Sequence, residues 1–374
     1  MTEQERYEQV DMPFYRSEVA PILPPAVLDF HTHAWRRDQW LGDPFVPGDE
    51  SPQENGSSVQ PKGARYMVTT LEYSAEQLLA DGRRIFPDRD YQAVFFGQPT
   101  PAADTDLTNS YVAKAARLGD LYPLIITGRN RTPAEQLRRE IQERGFLGYK
   151  VYLDWLGDDY GDVLVEDLIG SEEMKLADEL GLVVLLHVPR SGRLADPDVQ
   201  RGVREHAVRC PNARIVLAHC GRCYLYDEMR AAIAAIRDLG NVYLDTSMVM
   251  DPMVLRLVFE NMDSRRVLFG TDFPVAAMRG RRVQVMDHWV DVVLNGYPPS
   301  AFRVGSNAIH ATFMAYEIAA AIRMAGEMAG LDREQVRDVF FENGMAVLRH
   351  VADGRQLEAV RSRRIAESVP EWRV

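Results

Sequence analysis

Cysteine is scarce, with three residues in a chain of 374. That rules against a disulfide framework and makes a reducing cytoplasm the expected compartment. Positive charge is also in deficit. Lys and Arg total 43 against 55 Asp and Glu, a formal net charge of −12. Nucleic acid and anionic membrane surfaces attract basic proteins, so neither is expected as the main partner. An acidic small molecule stays open, because a local arginine pocket can sit on an acidic protein. Long apolar runs are missing as well. The longest, such as Leu182–Leu186, are strand-sized and far short of a membrane span. The N-terminus carries Glu3, Glu5, Glu8 and Asp11 where a signal peptide would be basic and then apolar.

What the chain has is alternation. Hydrophobic residues make up 46% of it, enough for a large core. Short apolar runs occur at Val27–Phe30, Tyr91–Phe96, Tyr122–Thr127, Gly148–Leu153, Leu182–His187, Arg214–His219, Val242–Thr246 and Val267–Gly270. Amphipathic stretches separate them, near 74–86, 107–119, 133–145, 171–180, 197–209, 226–239 and 251–262. Strands apolar on both faces and joined by helices form parallel sheets. Eight such units predict an α/β fold, a (β/α)8 TIM barrel. An open doubly wound sheet uses similar local patterns, but no Gly-rich dinucleotide loop follows the first run.

Three regions fall outside this rhythm. Residues 1–25 read as an N-terminal arm, closed by Pro21, Pro24 and Pro25. Residues 42–63 are rich in Pro, Gly, Ser and acids and read as a long loop. Residues 275–330 are expected to be a helical insert after the last strand, covering the barrel or joining subunits, so a homo-oligomer is plausible. Its Met314–Met328 portion reads as a core or interface helix. The last barrel helix is expected over Asp332–Leu348, with Asp332 as its N-cap. The barrel domain then runs over 26–350, and 351–374 form a charged surface tail.

In a barrel the chemistry sits at the C-terminal ends of the strands. The first predicted strand leads into His31 and His33. Residues two apart in extended chain point to one side, so both imidazoles can reach one ion. Lys150 lies on the fourth strand, His187 and His219 end the fifth and sixth, and Asp272 follows the eighth. A single histidine at a strand end is more often a hydrogen-bonded structural group. The joint pattern is far more specific. Imidazoles with a carboxylate suit Zn²⁺ or a similar divalent ion, Mn²⁺ included.

The motifs Asp29-Phe30-His31-Thr32-His33, Leu186-His187, Ala218-His219-Cys220-Gly221 and Gly270-Thr271-Asp272-Phe273-Pro274 resemble the amidohydrolase superfamily. Phe341-Glu342-Asn343-Gly344 also resembles it. The branch is similar to the aminocarboxymuconate-semialdehyde and resorcylate decarboxylases and their hydrolase and lactonase relatives. The resemblance covers about residues 26–350 and is strong at the motifs; the 275–330 insert departs from the family's usual short connection. It implies that His31, His33, His187 and Asp272 hold one divalent ion. Asp272 would also be the general base, and His219 would orient or polarise the substrate. Lys150 stands where binuclear members carry a carboxylated bridging lysine. If it is modified, two ions would bind, with His187 and His219 on the second. Otherwise it is a buried lysine paired with an acid such as Asp272 or Asp154. One ion is the favoured reading.

Further residues near the mouth carry two readings each. Arg190, Arg193 and Arg222 are either binders of a substrate carboxylate or ordinary surface arginines. Tyr224 follows His219 and shares the ambiguity of Arg222, while Trp35, Tyr152 and Trp155 are either pocket walls or packing. Asp245 and Ser247 end the seventh strand and could support the metal ligands. Cys220 and Cys223 have redox-type spacing but sit at a barrel strand end.

The leading expectation is an enzyme acting on a small molecule: a metal-dependent hydrolase of a C–N or C–O bond in an amide, lactam or lactone, working through a metal-activated water. Non-oxidative decarboxylation of an unsaturated or aromatic acid is the second reading. A catalytically inactive barrel used for binding or assembly is the third, disfavoured by the intact set of candidate ligands.

Overall fold

The computed structural model describes residues 1–42, 71–156, 161–294, 302–303 and 310–351. All eight expected strands are present: Ala26–His33, Asp90–Phe96, Leu121–Pro123 continued by Ile125–Ile126, Gly148–Val151, Val183–Leu186, Arg214–Leu217, Val242–Asp245 and Val267–Leu268. Each pairs in parallel with the next. The third is interrupted at Leu124, whose N–H donates to Phe95 O at 2.9 Å and carries the ladder across the break. The last strand returns to the first. Phe30 N donates to Phe269 O (2.8 Å), Asp272 N to His31 O (2.8 Å) and His33 N to Phe273 O (2.9 Å). These bonds join the two ends of the sheet, so the strand ends face a common mouth.

The seven expected helices also form, and their starts follow from capping chemistry. Ser74, Asp104, Asp196 and Asp251 each accept from a backbone N–H in the first turn of the helix that follows. Asp332 caps the last helical segment as expected, accepting from Glu334 N and Gln335 N. That segment is not one helix. It breaks at Phe341 (φ −149°, ψ −63°) into Arg333–Phe340 and Glu342–His350.

The insert corrects the sequence reading. Residues 275–330 hold an antiparallel hairpin, Gly280–Val285 with His288–Val293, before their one long described helix, Met314–Ala329. The strand signal was a period-two burial of Trp289, Asp291 and Val293. It was masked because the turn is Met286–Asp287, with Met286 at φ +56°, in place of an Asn-Gly or Asp-Gly pair. Arg282 and Asp291 are register partners and form a buried bidentate ion pair with both contacts at 2.9 Å.

Met314–Ala329 buries most of its apolar face inside the chain, with the Tyr316 ring tilted against Tyr15 of the N-terminal arm, centroids 5.4 Å apart. The arm is helical in short segments and is docked. Its fully buried Asp11 binds Arg279 (2.6 Å) and the Thr312 hydroxyl (2.9 Å), tying the arm to the base of the insert. The predicted 42–63 loop and the 351–374 tail lie outside the described residues apart from Gly42 and Val351. Among the described residues no helix is long and apolar enough to cross a membrane.

Candidate metal centre

The centre is assembled from strand ends. His31 and His33 project to one side of the first strand, their rings 5.7 Å apart. The eighth strand passes close by. A Cβ on Gly270 would lie 3.1 Å from the His31 Cβ, so a side chain there would crowd the imidazole. Beyond it Asp272 sits at φ +71°. His219 opens a left-handed turn, with His219, Cys220, Gly221 and Arg222 all between φ +52° and +67°. Non-glycine residues rarely adopt this conformation, and it concentrates at functional sites.

His31, His219 and Asp272 offer ligand atoms within 4.8 Å of one another, and all three are buried. His33 Nε2 is 3.2 Å from Asp272 Oδ1, and His31 Nε2 is 3.6 Å from it. His33 Nδ1 faces the Gly97 carbonyl at 3.2 Å, which places its proton there and leaves Nε2 as a lone pair. Asp272 Oδ1 is buried and has no hydrogen-bond donor among the described residues. His33 Nε2 and Asp272 Oδ1 thus face each other as two acceptors with no proton between them, which fits a cation, and the N/O donor set suits a divalent one.

Lys150 joins this group, fully buried with Nζ 3.0 Å from His31 Nε2 and 4.6 Å above the Phe96 ring. His187 lies beside it, its ring 4.4 Å from Tyr152 and 5.3 Å from His219. His187 Nδ1 is buried without a partner among the described residues. Thus His219, rather than His187, completes the tightest cluster.

Burial dominates the electrostatics. It lowers His33 to about 4 and His219 to about 3, and pushes His187 well down, so these imidazoles are neutral at pH 7. It lowers Lys150 to about 8, against the pull of Asp245 and Asp272. Burial opposes ionisation of Asp245, yet the adjoining His31 holds it near 2.

Two buried carboxylates hold the strand ends in register. Asp29 accepts from Tyr91 OH (2.9 Å), Thr271 N (2.9 Å) and Thr271 Oγ1 (2.5 Å), pinning the loop that carries Asp272. Its neighbours did not mark it in the sequence, because its partners are distant in the chain. Asp245 accepts from His31 Nδ1 at 2.9 Å and from His219 N at 3.0 Å.

The remaining expected residues divide. Tyr152 borders the centre through His187, and Tyr224 borders it through His219, 5.9 Å away. Trp35 is buried against Trp40 and Tyr73, and Trp155 lies under Arg131. The Arg190 guanidinium is paired with Asp196 (3.0 Å) and Asp198 (2.6 Å), the acids that open the next helix. Arg193 is likewise held by Glu228 at 2.7 Å, and Arg222 Nη1 donates to Val188 O at 3.0 Å. Neither Arg282 nor Trp289 was anticipated. Both come from the hairpin and pack against Tyr224, at 4.4 and 5.1 Å. Cys220 and Cys223 are free, buried thiols.

The amidohydrolase family model matches residues 28–291, well over half the chain. No curated protein sequence matches. Several solved structures share the fold at low identity. A 4-oxalomesaconate hydratase from Rhodopseudomonas palustris is 16% identical, with a TM-score of 0.52 over 91% of this chain and 99% of that one. A putative 2-pyrone-4,6-dicarboxylic acid hydrolase from Pseudomonas putida gives 16% and 0.52 over 88% and 100%. A 5-carboxyvanillate decarboxylase from Sphingomonas paucimobilis gives 13% and 0.50 over 87% and 99%.

Proposed function

The chain belongs to the amidohydrolase family, and from that premise we propose that it is a divalent-metal-dependent hydrolase that opens a C–N or C–O bond in an amide, lactam or lactone. The observation that carries this is the buried Asp272 Oδ1, which lacks a donor and lies within 3.6 Å of two imidazole nitrogens. His31, His33, His219 and Asp272 would hold the ion, with Zn²⁺ as the first candidate and Mn²⁺ as the second. Bound there, a divalent cation supplies Lewis acidity toward a carbonyl oxygen and toward water.

The chain's own groups do the rest. Asp272 is ionised and buried beside the reacting position, so its carboxylate takes the proton of the attacking water and returns it to the leaving nitrogen or oxygen. The His187 Nδ1, buried and without a partner, is placed to bond a substrate polar group. Tyr152, against the His187 ring, walls that side. Lys150 stays an amine in the single-ion reading; its Nζ lies 3.0 Å from His31 Nε2 and would give up that contact when the ion takes the nitrogen. Walls of Phe96, Tyr152 and Tyr224 exclude bulk water and strengthen each of these contacts.

The test is a panel of lactones, lactams, amides and aromatic acids, run with Zn²⁺- or Mn²⁺-loaded enzyme in ¹⁸O-labelled water. Label in the product acid is expected. Release of CO₂ without label would overturn hydrolysis in favour of decarboxylation. No bound metal and no turnover with any substrate would support a binding barrel.

A further inference from the structure

We propose that Asp245 and Ser247 are positioning residues that fix the tautomers of both His31 and His219, so that each carries its proton on Nδ1 and its lone pair on Nε2. The inference rests on reading the cluster as a cation site, but it does not depend on which bond is broken.

It follows from a count of donors and acceptors. Asp245 is a carboxylate and can only accept. Its Oδ2 lies 2.9 Å from His31 Nδ1, so that nitrogen must be the donor. The other side of the same ring agrees, because Lys150 Nζ, a donor, meets Nε2 at 3.0 Å.

His219 is reached through a relay. The Ser247 hydroxyl has one proton, and it donates that proton to Asp245 Oδ1, which can only accept. Ser247 Oγ therefore faces His219 Nδ1, 2.8 Å away, as an acceptor. The other group at that nitrogen is the Ser247 carbonyl at 3.1 Å, again an acceptor. With two acceptors and no donor around it, His219 Nδ1 must bear the proton. Asp245 Oδ1 also accepts from the backbone N–H of His219 and of Ser247, each at 3.0 Å, so one carboxylate sets ring and backbone together. All of these groups are buried, and water does not compete for the bonds.

The consequence reaches the role of His219. A neutral imidazole with its proton on Nδ1 has no donor at Nε2. It cannot polarise a substrate carbonyl by donating from that atom, and it serves as a ligand or a proton acceptor. Histidines that bind metals are commonly held by such outer partners, whose loss lowers metal affinity. Here one Asp serves two histidines from different strands.

The test uses the metal-free full-length protein labelled with [¹⁵N]histidine. The nitrogen resonances of His31 and His219, assigned with His31→Gln and His219→Gln, report which ring nitrogen is protonated. Nδ1–H is expected for both. An Nε2–H signal from either ring would overturn the proposal, whatever reaction the enzyme performs. Asp245→Asn places an amide donor toward His31 Nδ1. It should remove the acceptor that holds the His31 proton on Nδ1, so that the ring, with Lys150 still facing Nε2, becomes a mixture of tautomers; it should leave His219 on its Ser247 carbonyl and weaken Zn²⁺ binding by about 10–100-fold in a competitive chelator titration. Unchanged affinity with an unchanged His31 tautomer would also overturn it. Should Asp245→Asn fail to fold, the wild-type spectrum alone decides.

Discussion

Replacing Asp272 by Asn should raise the stability of the metal-free protein while abolishing turnover. The carboxylate oxygen Oδ1 is buried without a donor, and the His33 Nε2 lone pair faces it at 3.2 Å. Leaving a buried acceptor unmade costs about 1–3 kcal/mol, and more when it is charged. In the variant, an amide Nδ2 at this position donates to His33 Nε2, and the two acceptors no longer oppose each other. We expect a gain of about 1–3 kcal/mol in urea unfolding of the apo-protein. With an unfolding entropy of about 2.1 cal/mol/K per residue, that is a rise of about 1–4 °C in Tm for a chain of 374 residues. Added Zn²⁺ should stabilise the wild type by mass action and the variant far less. Loss of the general base alone should lower kcat by about 10²–10⁴-fold. A metal-free variant less stable than wild type, or one with normal kcat, would refute the reading of Asp272 as a cation ligand and base.

Four other substitutions or modifications probe the frame and the centre. Asp11→Ala should destabilise the protein by about 3–5 kcal/mol in urea unfolding, because it leaves the nine-tenths-buried Arg279 with only the exposed Glu3; a loss under about 1 kcal/mol would show that the arm does not anchor the insert. Gly344→Ala would put a methyl 2.8 Å from Leu28 Cδ2 and 3.1 Å from Phe30 Cδ2 where the last helix crosses the first strand, and overpacking of this kind costs about 1–3 kcal/mol. Burial pushes the Cys223 thiol up to about 12 and raises Cys220 and Cys210 as well, so a thiol reagent at pH 8 should label none of them natively and all three in guanidinium; rapid native labelling would reopen a redox role. Lys150→Ala should leave the metal-to-protein ratio unchanged by elemental analysis, whereas a halved ratio would reveal a bridging lysine and a second ion.

The barrel was legible because its strands are buried on both faces, which turns each into an uninterrupted apolar run that sequence can display. The strand-end histidines were legible for the same reason, since the end of a run is where a barrel keeps its chemistry. What stayed hidden has local physical causes. The hairpin lacks the turn residues that announce one, and its Arg282–Asp291 pair places two charges where a core residue is expected. Arg190 looked available because Asp196 and Asp198, the residues that occupy it, read equally well as helix-capping acids. The place of His219 in the tightest cluster depends on the left-handed turn at 219–222, and a sequence containing one glycine there does not disclose four consecutive positive φ angles.

That turn and the φ of Asp272 explain why two buried carboxylates sit just outside the centre. A non-glycine residue held at positive φ costs about 1–3 kcal/mol and persists only where its surroundings over-determine it. Asp29 supplies that constraint for Asp272, through Thr271 N and Oγ1. Asp245 supplies it for His219, through the backbone N–H at 3.0 Å. Each carboxylate lies on one strand and fixes the end of another, so the centre's geometry is set by the register of the first, sixth, seventh and eighth strands. Loops can then vary around the mouth without moving the ligand cluster. The hairpin illustrates this, because it brings Arg282 and Trp289 against Tyr224 and contributes none of the clustered candidate ligands. The clustered His31, His219 and Asp272 are thereby held by the strands, and the hairpin packs only against their neighbour Tyr224.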